Sequence, residues 1–308
     1  MAAPAATAGA ARIRARRIRY GEIVVKLLLG LCALISVLTT LGIVVALFVP
    51  AFEFFQEVSI KDFLTGTTWA PLFEPASFGV VPLVVGTLSV TLWAVLVAIP
   101  FGLGAAIYLS EYASARTRRI LKPLLELLAG IPTIVFGYFA LTFFTPLLQD
   151  IGIEVDIFNA LSAGLVMGVM ILPTVASLAE DAMSAVPREL RDGAFALGTT
   201  RRVVSMKIVV PAAISGIIAA FVLGISRAVG ETMIAVVAAG QQPNLTFDPR
   251  QAVETMSAFI AATGAGDVPT GSLEYKTIFA VGATLFVMTL ILNVISIRLV
   301  TRFREEYE

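Results

Sequence analysis

The sequence contains no histidine and a single cysteine, Cys32, and only 14% of its 308 residues are charged. Without histidine, the usual protein sites for zinc, copper and haem cannot be built, and neither can Ser-His or Cys-His nucleophiles. One cysteine also excludes a disulfide within the chain. We therefore expect no metal, no cofactor and no catalytic residues, so the chain is not expected to be an enzyme.

Hydrophobic residues are abundant instead, at 58% of the chain, and the mean hydropathy is +0.91. This is far more apolar surface than one water-soluble core can bury, so a lipid bilayer is the expected surrounding. The arginines cluster beside apolar runs, where orientation in a membrane explains them. We therefore expect no nucleic-acid partner.

Six apolar runs are each long enough to cross a hydrocarbon core of about 30 Å. They cover residues 23–49, 80–109, 124–148, 159–180, 211–240 and 277–300. The first run is about twice as long as the apolar part of a signal peptide, and no convincing cleavage site precedes Pro50, so it is predicted to be a retained helix. The sequence thus predicts an all-α, polytopic membrane protein with about six transmembrane helices.

Basic residues are concentrated in alternate connections between these runs, and acidic residues dominate the others. The basic connections contain Arg12, Arg14, Arg16, Arg17, Arg19, Arg116, Arg118, Arg119, Lys122, Arg188, Arg191, Arg201, Arg202, Lys207, Arg302 and Arg304. The opposite connections contain only Lys61, Arg250 and Lys276. Because Arg and Lys accumulate on the cytoplasmic side, both termini are predicted to be cytoplasmic. Residues 1–22 would form a basic cytoplasmic segment, and residues 23–308 a transmembrane domain with its core over 80–300.

Two connections on the opposite, outer side are long, at about residues 51–78 and 241–275. They contain Trp69 and several prolines. Length alone is compatible with a docking surface for an external protein and equally with ordinary loops or interfacial helices. Both interpretations stay open at this point.

The cytoplasmic connection over residues 181–211 is predicted to contain two short helices joined at Gly198. Pro187 suits the start of a helix, and glycine suits the left-handed residue that ends one. Helical spacing places Leu190, Ala194 and Leu197 on one small apolar face. An amphipathic helix resting on the lipid surface would produce the same pattern.

This connection resembles the cytoplasmic loop of ABC importer permeases. In that family the pattern is Glu-Ala-Ala, three residues, Gly, nine residues, Ile, one residue, Leu-Pro. Here Asp192-Gly193-Ala194 stands for Glu-Ala-Ala and is followed by Gly198, Ile208 and Pro211 at the family spacing, with Val210 in place of Leu.

The resemblance implies a type I permease fold whose cytoplasmic loop sits in a cleft of a separate ATP-hydrolysing subunit. The chain has no Gly-x-x-x-x-Gly-Lys-Ser/Thr phosphate-binding loop of its own. The residues that would couple this permease to the ATPase are Leu190, Asp192, Gly193, Ala194, Leu197 and Gly198.

Two charged residues, Arg227 and Glu231, lie within the fifth apolar run, where each charge is costly unless it has a function or a partner. Four residues apart on a helix, they are expected to share a face and to pair with each other. A ridge of small residues along the same helix would permit close helix packing. The ridge comprises Ala212, Gly216, Ala220, Gly224, Ala228 and Thr232.

A guanidinium group matches two phosphate oxygens, and a nearby carboxylate can accept a hydrogen bond from a protonated phosphate. Arg227 and Glu231, with the adjacent Thr232, are therefore a candidate pathway or gate for an anion. A purely structural ion pair is the alternative.

The chain as a whole resembles the permeases of bacterial phosphate importers, which carry an Arg and a Glu important for transport at the positions of Arg227 and Glu231. Further stretches of resemblance are residues 100–112, 130–138 and 271–275, and the last of these, with the extended first span, is similar to the C-type subunit. The resemblance implies a multi-pass protein of the bacterial cytoplasmic membrane that imports inorganic phosphate. It also implies a heterodimer with an A-type permease, two copies of an ATP-binding subunit and an extracytoplasmic phosphate-binding protein.

Two other functions remain open from the sequence. An ABC permease for sulfate, molybdate or another oxyanion would share every feature of the cytoplasmic loop. A secondary transporter or channel would not need residues 187–211, and it would typically show internal repeats, of which we find no convincing example.

Overall fold

The structure is a computed structural model that describes residues 20–302. Most of the predicted cytoplasmic segment 1–22 and both chain termini lie outside the described residues. The N-terminal part of the chain, up to Ala46, forms one compact unit, and the chain from Leu47 onward forms another. The first unit contains most of α1 (Tyr20–Glu57), whose side chains there are largely exposed.

The second unit contains the remaining elements in the following order. The outer connection after α1 holds α2 (Ile60–Thr65) and a hairpin of β1 (Trp69–Ala70) and β2 (Ser77–Phe78). Then come α3 (Val81–Ile107), α4 (Ala115–Ala129), α5 (Thr133–Phe139), α6 (Thr145–Asp150), α7 (Ala160–Ser184), α8 (Arg188–Ala196), α9 (Arg201–Val204), α10 (Val210–Ala212), α11 (Ile214–Val229), α12 (Met256–Gly264) and α13 (Leu273–Arg302). Single π-helical turns occupy Tyr108–Tyr112, Ala140–Phe144, Ser205–Val209 and Ala235–Ala239.

The helices account for about six membrane spans, as predicted. Four helical segments of residues 20–302 are long and apolar enough to cross alone: Glu22–Glu57, Val81–Tyr112, Ala160–Ser184 and Leu273–Thr301. Two further spans are bent pairs. Ala115–Ala129 meets Thr133–Asp150 at 85°, and Arg201–Ala212 meets Ile214–Val229 at 71°. The predicted third and fifth spans are therefore not single straight helices.

The centre of the fold is the contact between α3 and α7, which glycine makes unusually close. A Cβ added at Gly164 would lie 2.5 Å from Cβ of Trp93, and one at Gly168 would lie 2.7 Å from the carbonyl oxygen of Ala94. Real side chains do not fit at such distances, so these two glycines allow the backbones to approach. Val90, Ala94, Met167 and Met170 are buried alongside.

The predicted ridge of small residues on the fifth span packs against α7. A Cβ at Gly216 would lie 2.4 Å from Cβ of Ala182, and one at Gly224 would lie 2.8 Å from Cγ2 of Val175. Ala220 and Ala228 are also buried, at 1% and 3% exposure. The ridge thus fixes α11 onto the same helix that packs on α3.

The two long connections that are predicted to lie on the outer side pack together into a single aromatic cluster. Phe54, Phe63, Trp69 and Phe259 are buried in it, and the rings of Trp69 and Phe259 meet edge-on at 4.9 Å. The connection before α12 is tied to α3, because the backbone N–H of Met256 donates to the hydroxyl of Thr87 at 3.0 Å. The outer connections are therefore folded parts of the domain.

Candidate functional site

Arg227 lies in the last turn of α11 and is half-buried. Its Nη1 donates a hydrogen bond of 3.1 Å to Oγ1 of Thr174 on α7. The close approach at Gly224, one turn earlier, brings the two helices near enough for this bond. The other guanidinium N–H groups have no partner among residues 20–302, so they are available to an anion.

Glu231 lies beyond the end of that helix. α11 ends at Val229, and Gly230 follows as its C-cap. The Glu231 carboxylate accepts hydrogen bonds from the backbone N–H groups of Met233 at 3.1 Å and Ile234 at 3.5 Å. Glu231 therefore caps the start of the short helical segment that continues to Ala239.

The expected ion pair between Arg227 and Glu231 is wrong for this structure. No ion pair joins them within the described part of the chain; Arg227 bonds Thr174, and Glu231 bonds backbone N–H groups. A spacing of four residues places two side chains on one face only while the helix continues, and here it stops between them. The two residues still flank the same break, with Gly230 between them.

Two further helices, α12 and α13, contribute to the surroundings of this break. On α11, the hydroxyl of Ser226 donates to Oδ1 of Asn293 on α13 at 3.2 Å. The hydroxyl of Ser257 on α12 donates to the carbonyl oxygen of Glu231 at 2.7 Å. Thr232 turns back on the break, since its hydroxyl donates to the carbonyl of Gly230 at 3.4 Å.

Sequence analysis missed Thr174, Ser257 and Asn293 as neighbours of the site. The position of Asn293 could have been used to predict a contact, because an amide side chain within a largely apolar run is typically hydrogen-bonded to another helix. Thr174 and Ser257 gave none, because small hydroxyl side chains are common in membrane helices and often bond their own backbone.

Segment 181–211, which the sequence predicts to be cytoplasmic, contains the two predicted helices, α8 and α9, and Gly198 lies between them with φ +75°. That left-handed conformation is the one that glycine adopts at little cost. Pro187 is the N-cap of α8 and Arg188 its first helical residue. The predicted turn at Gly198 is confirmed.

The predicted apolar face of α8 is only partly correct. Ala194 is buried at 6% exposure, and Leu190 packs against the same cluster beneath it, but Leu197 is 84% exposed. The reason is that α8 ends at Ala196, so Leu197 leaves the helical pattern as its C-cap. The exposed apolar surface of this segment therefore consists of Leu197 with Phe195, which is 43% exposed. Asp192 and Gly193 are also exposed beside it.

Arg191 anchors α8 to the ends of two spans. Its guanidinium donates to the carbonyl oxygens of Val186 at 2.6 Å and Met183 at 2.7 Å. It also pairs with the carboxylate of Glu111, which follows α3, at 3.1 Å. Sequence analysis counted Arg191 only as a loop charge, whereas the structure makes it the link between the cytoplasmic segment and α3 and α7.

A second polar network joins α4 to the cytoplasmic end of α7. Glu180 is fully buried and accepts hydrogen bonds from Arg118, from Nζ of Lys122 at 2.7 Å and from the hydroxyl of Ser184 at 2.8 Å. Lys122 also pairs with Asp181 at 2.6 Å. These contacts place the basic residues of α4 beside the end of α7, close to segment 181–211.

No metal centre accompanies these groups. Within the described range 20–302, no set of three or more Asp, Glu or Cys residues could hold a metal ion. The site at the helix break therefore offers guanidinium donors, one carboxylate and hydroxyl groups, a set suited to binding an oxyanion reversibly.

Comparison with known proteins covers most of the chain. Residues 98–305 match the family described as "Binding-protein-dependent transport system inner membrane component". The chain is 34% identical over 266 residues to the probable ABC transporter permease protein YqgH of Bacillus subtilis, covering 86% of each. It is 30% identical over 299 residues to the phosphate transport system permease protein PstC of Haemophilus influenzae, covering 90% of this chain and 92% of that protein.

A solved structure shares the fold. The bacterial alginate ABC transporter in complex with an alginate pentasaccharide-bound periplasmic protein aligns with a TM-score of 0.62, over 91% of this chain and 96% of that one. The sequence identity is 17%, so this likeness concerns the architecture alone.

Proposed function

Since this chain belongs to the family of inner membrane components of binding-protein-dependent transport systems, we propose that it is a permease subunit of an ATP-driven importer of inorganic phosphate. One observation supports phosphate as the transported ion: the 30% identity to a phosphate permease, which extends over about nine-tenths of both chains. The donors at the helix break fit the same cargo. The chain would form half of the translocation pathway.

Arg227 is the proposed phosphate contact. Its bond to Thr174 uses one N–H and orients the planar group, leaving donors that match two oxyanion oxygens. Each charge-assisted hydrogen bond of this kind contributes about 1.5–3 kcal/mol. Phosphate at neutral pH is a mixture of HPO4²⁻ and H2PO4⁻, so every ion retains at least one proton, and the Glu231 carboxylate is a suitable acceptor for it.

Glu231 is the proposed gate. In this conformation its carboxylate is engaged by the backbone N–H groups of Met233 and Ile234. Turning toward an anion would require release of these bonds, which couples the position of Glu231 to the conformation of the chain beyond Gly230. Thr232 lies at the same joint and would move with it.

The exposed surface of Phe195 and Leu197 is the proposed contact with a separate ATP-binding subunit. A movement of α8 would reach the spans through two connections: the packing of Leu190 and Ala194 and the hydrogen bonds of Arg191. Both lead to α7. Because α7 also carries Thr174, closure of the ATPase would displace the group that orients Arg227.

We propose the assembly that such a mechanism requires. A second, A-type permease would complete the pathway as a heterodimer, two ATP-binding subunits would engage the cytoplasmic segments, and an extracytoplasmic phosphate-binding protein would deliver the cargo. The family description, which specifies dependence on a binding protein, supports the last of these.

Reconstitution tests the proposal. The chain with its partner permease, ATPase and binding protein would be placed in proteoliposomes, and ATP-dependent uptake of phosphate, sulfate and molybdate would be compared. We expect phosphate uptake in the wild type and a loss of about 100-fold or more in Arg227→Ala, because two charge-assisted hydrogen bonds of about 1.5–3 kcal/mol each are removed.

Arg298→Ala is the matched control, because Arg298 is an exposed arginine on α13. It should transport normally. Sulfate uptake without phosphate uptake would refute the assignment of phosphate as the transported ion. Near-normal uptake by an assembled Arg227→Ala complex would show that Arg227 has a structural role and does not bind phosphate.

A further inference from the structure

A cavity of about 480 Å³ opens between the two outer connections, apart from the site at Arg227. We call it the outer cavity; Trp69, Phe73 and Phe259 form its aromatic walls. Its volume falls within the range of small-ligand pockets, about 300–1,000 Å³. Of the described residues that line it, two carry carboxyl groups, Glu254 and Asp267, and none carries a basic group.

Glu254 lies deep in the outer cavity without a partner. It is 6% exposed, and its carboxyl group makes no hydrogen bond or ion pair with any of residues 20–302. It belongs to the connection before α12, outside the membrane-spanning helices, and burial raises its pKa to about 7. A buried carboxyl without a partner costs free energy, so its presence points to a group that arrives from outside.

The position of Glu254 is fixed by close packing. A Cβ added at Gly86 on α3 would lie 2.3 Å from the carbonyl oxygen of Glu254. Two residues later, the N–H of Met256 is bonded to Thr87. The backbone at and after Glu254 is therefore held against α3, which restricts local motion of the segment that carries the carboxyl.

The lining suits a cation with an apolar stem. The faces of Trp69, Phe73 and Phe259 attract positive charge, and they also pack well against methylene groups. A free metal ion would prefer several oxygen ligands, which a largely apolar cavity does not offer. The ammonium group of a lysine meets both conditions, because its four-carbon stem fills the cavity while its charge reaches the carboxylate.

We propose that the outer cavity receives a lysine side chain of the external binding protein, and that the lysine ammonium pairs with Glu254 in the docked complex. This inference rests on the proposed function, because it needs an external protein that delivers the cargo. Asp267 at the exposed rim would contribute attraction during approach.

The test uses the full complex in lipid nanodiscs and measures the dissociation constant of the phosphate-loaded binding protein. We expect Glu254→Gln to weaken binding by about tenfold or more, as for other buried charge pairs at interfaces. Asp150→Asn, which removes an exposed outer carboxylate away from the cavity, is the matched control and should bind normally. The thermal stability of Glu254→Gln should not fall below that of the wild type, because the amide removes the cost of burying an ionisable carboxyl.

A carbodiimide cross-link identifies the lysine directly. The reagent adds to the Glu254 carboxyl to give an O-acylisourea. The lysine amine then attacks the carbonyl carbon, which forms an amide and releases the urea, so the cross-linked pair has lost one water. Mass spectrometry should find a Glu254–lysine peptide in the wild-type complex and none in Glu254→Gln. Weakened binding without this peptide would overturn the lysine assignment and favour a small cation or another side chain.

The pH dependence of docking provides an independent readout. Pairing requires an ionised carboxyl, so affinity should fall by up to about tenfold per pH unit below pH 7 and level off above it. Asp267 is the other titratable group among the described lining residues, and it is exposed. The slope should disappear in Glu254→Gln.

Two failures are distinguishable. If the wild-type complex neither binds the external protein nor takes up phosphate, the proposed function fails. If the wild type does both and Glu254→Gln matches it at every pH, the inference about the outer cavity alone is overturned.

Discussion

Gly198→Ala tests whether the turn between α8 and α9 transmits the energy of ATP hydrolysis. Gly198 has φ +75°, and a Cβ added there would meet nothing within 4 Å. The substitution therefore introduces backbone strain without a steric clash. The left-handed conformation costs a non-glycine residue about 1–2 kcal/mol.

That cost has a measurable consequence. A change of about 1–2 kcal/mol shifts the ratio between the native turn and its alternatives by about 5- to 30-fold. We expect ATP-dependent phosphate uptake to fall more than ATP hydrolysis does, because α8 and α9 lose their fixed angle. Gly198→Val should be more severe, since β-branched residues tolerate this conformation least.

Gly193→Ala is the matched control. It adds the same methyl group five residues earlier, also into open space, but within α8 and with no positive φ. It should preserve coupling, and it should stabilise α8 by about 0.5–1 kcal/mol because alanine favours helix. It also restores the residue found in the Glu-Ala-Ala pattern of ABC importer permeases.

The assay compares uptake and ATP hydrolysis in the same proteoliposomes, with the amount of assembled complex measured for each variant. Equal ratios of uptake to hydrolysis in the wild type, Gly193→Ala and both Gly198 variants would refute the reasoning. A loss in Gly193→Ala as large as that in Gly198→Ala would do the same, because it would trace the effect to the added methyl and not to the turn.

Gly216→Ala would place a Cβ 2.4 Å from a side chain of α7, so we expect a loss of about 1–3 kcal/mol and a lower melting temperature. Gly104→Ala, which lies within α3 and meets nothing within 4 Å, should melt at or slightly above the wild-type temperature because alanine favours helix; equal melting of the two variants would contradict the close packing of Gly216 on α7. Glu180→Gln removes a fully buried carboxylate from two basic residues of α4, and a loss of about 2–3 kcal/mol is expected, below the usual range because those bases are partly exposed. Asp181→Asn, at a 58% exposed side chain, should cost under about 1 kcal/mol, and a similar loss in both variants would show that burial is not the deciding factor.

Features that depend on local residue type or on hydropathy averaged over a run could be predicted from the sequence. Hydropathy located about six spans, because a run of apolar residues has few alternatives to crossing a bilayer. The positive φ of Gly198 followed from the residue type, and the contacts of Gly216 and Gly224 followed from the small-residue spacing.

Features that depend on where a helix stops were not predictable in the same way. The expected pairing of Arg227 with Glu231 and the expected place of Leu197 on one face with Ala194 both assumed a helix that continues, and in each case it ends one or two residues too early. Glu180 and Glu254 were missed for a different reason. Their partners, or the absence of partners, are set by chain segments far away in sequence, which periodicity does not report.

The break at Gly230 divides the proposed anion site into two mechanical halves. Arg227 is held by α7, whereas Glu231 is attached to the segment after the break and, through Ser257, to α12. Rotation about the backbone bonds of Gly230 would change the separation of the two charges while leaving every hydrogen bond inside α11 intact. The affinity of the proposed site for an anion would then depend on the backbone conformation of Gly230.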